Sequence, residues 1–183
     1  DESESRGLGD VYKRQAQRGA IVTGIDMGDA PLAVANLHKL ESELKIDYVK
    51  ATAESFSDSN FQRFDAVTCL EMLEHVPDPA SVVKACAAMT KPGGTLFFST
   101  INRNPKSYLF AIIGVEYVLK MLPKGTHDFA KFIKPSELTS WIRDASLELQ
   151  DITGLLYNPI TKNYKLSQSD VDVNYMISVT KPL

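Results

Sequence analysis

At 183 residues the chain is of single-domain size and long enough to bury a substantial core, and 20 Lys and Arg against 23 Asp and Glu leave a net charge of −3. No dense basic run is available to track a phosphate backbone, which argues against nucleic acid as a partner. No stretch approaches the roughly 20 apolar residues of a membrane span, and the two cysteines, Cys69 and Cys86, lie in apolar segments as packing thiols suited to a reducing compartment.

Residues 1–15, DESESRGLGDVYKRQ, start without Met, show no clear period and run abruptly into an apolar stretch. They are expected to be a non-native or disordered leader to one domain over 16–183. Residues 20–25, AIVTGI, are β-branched and apolar and predict a strand that ends at Asp26. An acid at the carboxyl end of a strand can accept hydrogen bonds from ribose hydroxyls, as in nucleotide-binding α/β folds, and can equally cap a helix or hold a turn. Residues 30–44 carry Leu32, Ala33, Ala35, Leu37 and Leu40 at helical spacing and predict an amphipathic helix. A short strand over 46–51 follows, then a polar loop from Thr52, Ala53 and Glu54. Crossovers of this length make the strands parallel.

Residues 64–79, FDAVTCLEMLEHVPDP, organise the rest. Phe64, Ala66, Val67, Cys69 and Leu70 form a nearly continuous apolar run, which suits a strand covered on both faces. Glu71, Glu74 and His75 follow at i, i+3 and i+4, so one helical turn would bring three metal or proton ligands onto one face. The plainer alternative is two solvated carboxylates and a half-buried imidazole. Ligands of an open α/β sheet collect outside the carboxyl ends of its strands, where this turn falls.

Residues 80–90 predict a packed helix, Lys91-Pro92-Gly93-Gly94 its stop, and 95–101 a further strand. The most apolar stretch, 108–122, fits an interfacial helix at a lipid headgroup boundary or a lid packed over the site. The turn over 123–128 carries His127. A helix over 135–145, a strand over 148–155, a polar turn-rich span over 157–172 and a last strand over 173–180 complete the chain, the last two strands forming an antiparallel hairpin.

The Asp26 strand, the 64–79 block and KPGGTLFFST together resemble class I S-adenosylmethionine-dependent methyltransferases. VTGIDMGDAPLAVA, EMLEHVPDP, FFSTINRNPKS, PKGTHDFAKFIKP and GLLYNPITKNYKL are similar to the O-methyltransferases of ubiquinone biosynthesis, from about Ala16 onward. The resemblance implies an α/β fold: a Rossmann-like methyltransferase sheet with helices on both faces and a C-terminal antiparallel hairpin. The family's first strand and glycine-rich loop are expected to be lacking, because Gly7-Leu8-Gly9 has neither a strand before it nor a helix after it. The resemblance further implies S-adenosylmethionine as cofactor, with Asp26 on its ribose, Ala53 beside the adenine and Leu70 lining the pocket. Glu71, Glu74 and His75 match positions of a magnesium site in some relatives, and His75 or His127 is the candidate general base.

The implied partners are a polyprenyl phenol substrate, the membrane surface and other ubiquinone-biosynthesis proteins. The implied place is cytoplasmic and peripheral on the inner face of a bacterial membrane, or the mitochondrial matrix side in a eukaryote. Two further readings stay open: a non-catalytic membrane-associated subunit of a quinone-synthesis complex, and a small-molecule methyltransferase of another branch.

Overall fold

The computed structural model describes residues 8–42, 44–108, 128–158 and 163–183, and the chain divides into two compact units, Asp1–Ser59 and Asn60–Leu183. The first unit contains α1 (Leu8–Gln17), β1 (Val22–Asp26), α2 (Asp29–Ser42), β2 (Ile46–Lys50) and α3 (Ala53–Asp58). With a 14-residue helix between them, β1 and β2 pair in parallel, from Val22 opposite Ile46 to Asp26 opposite Lys50. Helices α1 and α2 pack on each other and on both strands, and Val22, Leu32, Ala35, Ile46 and Ala53 form the buried interior.

Two expectations for this unit are corrected. Residues 8–15, within the stretch read as a non-native or disordered leader, belong to helix α1, which takes in Leu8 and Gly9 themselves. Val11, Tyr12, Lys13, Gln15 and Ala16 are its half-buried positions, a face that polar Lys13 and Gln15 hide from a hydrophobicity pattern. The polar loop expected after Thr52 is helix α3, whose start is fixed locally: the Thr52 hydroxyl accepts the Ser55 N–H at 3.1 Å.

The second unit contains β3 (Phe64–Leu70), a 3-10 turn (Leu73–His75), α4 (Pro79–Met89), β4 (Thr90–Ile101), the single turn α5 (Pro105–Ser107), a second 3-10 turn (Phe129–Lys131), α6 (Pro135–Asp144), β5 (Glu148–Asn158), β6 (Asn163–Ser167) and β7 (Asn174–Thr180). Its five-stranded sheet runs β3-β4-β7-β5-β6. β3 and β4 are parallel, whereas β7 lies antiparallel to both β4 and β5. The expected antiparallel pairing of the two late strands is thus present. β6, inside the span read as turns, adds an edge strand paired to β5.

The alternation along β4 and β7 puts Leu96, Phe98 and Thr100 on the same face as their partners Val179, Ile177 and Tyr175, and all six are buried. Helices α4 and α6, which pack against each other, bring Val82, Val83, Cys86, Leu138 and Ile142 into the core. At about 25 cal/mol per Å² of apolar surface, such burial is the main stabilising term. The buried Tyr175 hydroxyl donates to the Ile133 carbonyl at 2.9 Å, so the ring is buried without an orphaned polar group.

The strand over 64–70 is not covered on both faces. It is the edge of its sheet, Cys69 is its one buried residue, and Asp65 and Ala66 are exposed. Lys91-Pro92-Gly93-Gly94 lies inside β4 as an irregularity in its pairing with β3. Gly93 takes φ +77° there, and its N–H and the Gly94 carbonyl both bond to the backbone of Lys181, at 2.8 and 2.9 Å. Among the described residues no helix is long and apolar enough to cross a membrane. The stretch read as an interfacial helix or lid lies, after Tyr108, outside the described residues, as does His127.

Candidate active site

In the first unit, the candidate cofactor residues Asp26 and Ala53 gather at the carboxyl ends of the paired strands. Asp26 closes β1 opposite Lys50, and its carbonyl accepts the Ala51 N–H at 3.2 Å, two residues before Ala53 opens α3. Asp26 Oδ1 accepts the Gly28 N–H at 2.6 Å, forming an Asx turn into α2. A side chain at residue 28 would come within 2.9 Å of the Pro31 ring and 3.1 Å of Asp26 Oδ1, so the turn requires glycine. The turn role and the ribose role are therefore compatible. Oδ1 holds the loop, while Oδ2 makes no hydrogen bond among the described residues and is available as an acceptor. Beside them, Lys50 Nζ bonds Asp29 Oδ1 at 2.6 Å across an exposed surface, and Ala53 is buried. An acidic acceptor and a small apolar wall suit the ribose and adenine of an adenosyl cofactor.

In the second unit, β3 ends at the half-buried Leu70, paired with Ser99 on β4. Glu71 turns sharply away with φ 49°, an uncommon left-handed conformation for a residue with a side chain. Four hydrogen bonds hold it there. Its N–H donates to both the carbonyl and the hydroxyl of Ser99, at 3.0 and 3.1 Å. Oε1 accepts from the Ser99 hydroxyl at 2.7 Å, and Oε2 accepts from Asn174 Nδ2 at 3.3 Å.

Although Glu71 as a residue remains solvent-exposed, the protein packed around its carboxylate and, second, the charge of Glu74 raise its pKa to about 7. The bonds from Ser99 and Asn174 pull the other way, because they favour the charged form. Glu74 is buried and accepts from the Thr100 hydroxyl at 2.7 Å, whereas His75 is exposed. Cys69 and Cys86 are buried and free. The Cys69 thiol is held well above its usual range, first by its hydrogen bond with Cys86 and then by burial, so it is a packing thiol and a poor nucleophile.

The shared face expected for Glu71, Glu74 and His75 does not form. Glu71 bends back to β4 and β7 before the turn begins, Glu74 enters the interior and His75 stays at the surface. Among the described residues no group of three His, Cys, Asp or Glu side chains could hold a metal ion, so the magnesium set implied by the resemblance does not fit this arrangement. Ser99, Asn174 and Thr100, the partners of the two carboxylates, escaped the sequence reading. They have no motif spacing to Glu71, being brought to it only by the pairing of β3, β4 and β7.

Residues 5–98 match the family model described as a methyltransferase domain. A solved S-adenosylmethionine-dependent methyltransferase from Methanosarcina mazei shares the fold, with a TM-score of 0.72 at 22% identity, over 98% of this chain and 90% of that one. The chain is a methyltransferase of the S-adenosylmethionine-dependent α/β class. The ubiquinone biosynthesis O-methyltransferase of Saccharophagus degradans is 65% identical over 175 residues, 96% of this chain and 74% of the relative. That of Stutzerimonas stutzeri is 66% identical over 96% of this chain and 75% of its own length. The chain belongs to the family of ubiquinone biosynthesis O-methyltransferases.

Proposed function

We propose that the chain transfers a methyl group to a phenolic hydroxyl of a polyprenyl-substituted ring in ubiquinone biosynthesis, at the surface of a membrane. The observation that carries this reading is the 65% identity over 96% of the chain to a relative of that name. Bound S-adenosylmethionine supplies an electrophilic methyl on a sulfonium, and transfer needs the acceptor oxygen in line and stripped of its proton. Asp26 would hold the ribose through Oδ2 and Ala53 would give apolar contact to the adenine, while Leu70, at the end of β3, is the cofactor-lining residue that the resemblance implies in the second unit. On the acceptor side, Glu71 offers a fixed carboxylate to the ring hydroxyls, and the exposed His75 takes the proton. His127, outside the described residues, is the alternative base.

An acceptor with a polyprenyl tail scarcely leaves the bilayer, so the enzyme works peripherally, on the cytoplasmic face in a bacterium. The apolar residues over 108–122 with nearby Lys120 and Lys124 suit that contact, whereas Lys106 is already paired with Asp170 and Asp172. Docking beside other proteins of the same route follows the same logic. The test is radiolabelled methyl transfer from S-adenosylmethionine to a polyprenyl catechol in anionic liposomes, set against a short-chain catechol. Transfer to the prenylated acceptor at the higher kcat/KM is the expected result. Equal use of both would point to a small-molecule methyltransferase, and cofactor binding without transfer to a non-catalytic subunit.

A further inference from the structure

We infer that Ser99 and Asn174 are positioning residues that shape the Glu71 carboxylate into a receptor for two adjacent hydroxyls, so that this end of the sheet selects a catechol over a lone phenol. The inference rests on the reading above that the carboxyl end of β3 faces the acceptor.

The geometry comes first. Glu71 is held through both its backbone and its side chain, by one residue on β4 and one on β7. A left-handed backbone at a residue with a side chain is costly, and it persists only where neighbours over-determine it. Here the hydrogen bond that the Glu71 N–H shares between the carbonyl and the hydroxyl of Ser99 supplies the constraint. Ser99 is buried and its pairing with Leu70 fixes its place, so its hydroxyl donates from a rigid position.

The arithmetic of lone pairs supplies the ligand. A carboxylate offers about four acceptor positions on two oxygens. Ser99 occupies one on Oε1 and Asn174 one on Oε2, which leaves one on each oxygen. Two acceptors side by side match the two hydroxyls of a catechol, one donating to each oxygen, whereas a lone phenol satisfies only one. The hydroxyl whose oxygen is methylated passes its proton to the base of the reading above, His75, as the oxygen–carbon bond forms and the carbon–sulfur bond breaks with its electrons going to sulfur; its neighbour stays bonded to Glu71 and keeps the ring from turning.

The test compares kcat/KM for a prenylated catechol with that for the matching monophenol, in the whole chain, for Ser99→Ala, Asn174→Ala, Ser99→Thr and Glu71→Ala. The expected result is a catechol-to-monophenol ratio that falls about tenfold in both alanine variants. It should recover in Ser99→Thr, which keeps the hydroxyl, with the cofactor dissociation constant unmoved. In a Glu71→Ala background neither alanine change should lower the ratio further. If Glu71→Ala collapses the ratio while Ser99→Ala and Asn174→Ala preserve it, the positioning role is wrong and the acceptor-side reading stands. If Glu71→Ala itself leaves the ratio intact, both fall. A loss of melting temperature with equal losses on the two acceptors assigns Ser99 and Asn174 to stability alone and overturns the inference.

Discussion

Lys181, just beyond β7, reaches back to the end of α4: its Nζ donates to the carbonyls of Ala87 at 2.8 Å and Thr90 at 2.9 Å. The last carbonyls of a helix lack intrahelical donors and carry its negative dipole end, and a cation here meets both needs. The same ammonium lies 5.5 Å from the centre of the Phe61 ring. Lys181→Met keeps most of the stem and removes the charge. It should cost about 1–2 kcal/mol, read as a lower urea midpoint at unchanged slope.

Asp26 holds a turn and is proposed to hold the cofactor's ribose, and two substitutions separate the roles. Asp26→Asn keeps an oxygen for the Gly28 N–H but loses the charge. It should weaken S-adenosylmethionine binding in calorimetry while the melting temperature holds. Asp26→Ala loses both functions, with binding weakened by roughly 1–3 kcal/mol and stability reduced as well. Equal affinity in Asp26→Asn and wild type would leave Asp26 as a turn residue.

Thr100 donates to Glu74 in the interior of the second unit. Thr100→Val keeps the shape and withdraws the donor from a buried carboxylate, so denaturation should report a loss of about 1–3 kcal/mol. A neutral result would mean that water replaces the hydroxyl.

Glu71 gives a pH signature. With a pKa of about 7 in the fold against an ordinary 4.5, the folded chain keeps a proton that the unfolded chain releases. Its contribution to stability is therefore fully present below the unfolded value and is lost as pH rises through the folded one. Glu71→Gln removes that titration. Relative to wild type, the variant should be more stable near about pH 8 than near about pH 4 in parallel urea melts. A difference that does not change with pH would place the Glu71 pKa at its ordinary value.

The elements that periodicity and punctuation can reveal were legible: β1, α2, β2, α4 and α6 carry their own apolar spacing and stops. Elements held by something other than an apolar face were not. α3 depends on its Thr52 cap, and β6 is exposed over most of its length, with Asn163, Lys165 and Ser167 alternating with Tyr164 and Leu166. The site shows the same division. The place of Asp26 at the end of its strand was readable from the sequence, whereas the cofactor roles proposed for Asp26 and Ala53 come from the resemblance. The spacing of Glu71, Glu74 and His75 suggested a common helical face, but local spacing cannot foresee that Ser99 and Asn174, one from each of two other strands, capture the first of them.

The place of β7 carries a consequence for how the second unit comes to be. β4 and β5 do not pair with each other; β7 stands between them and pairs with both. A chain emerging from the ribosome therefore displays two strands with a vacant slot between them until the residues that fill it have been made. Closure of this sheet is a late and long-range event, of the kind that slows folding and exposes unpaired edges on the way. Because Asn174 travels on that same strand, the Glu71 carboxylate gains its second partner only when the sheet closes.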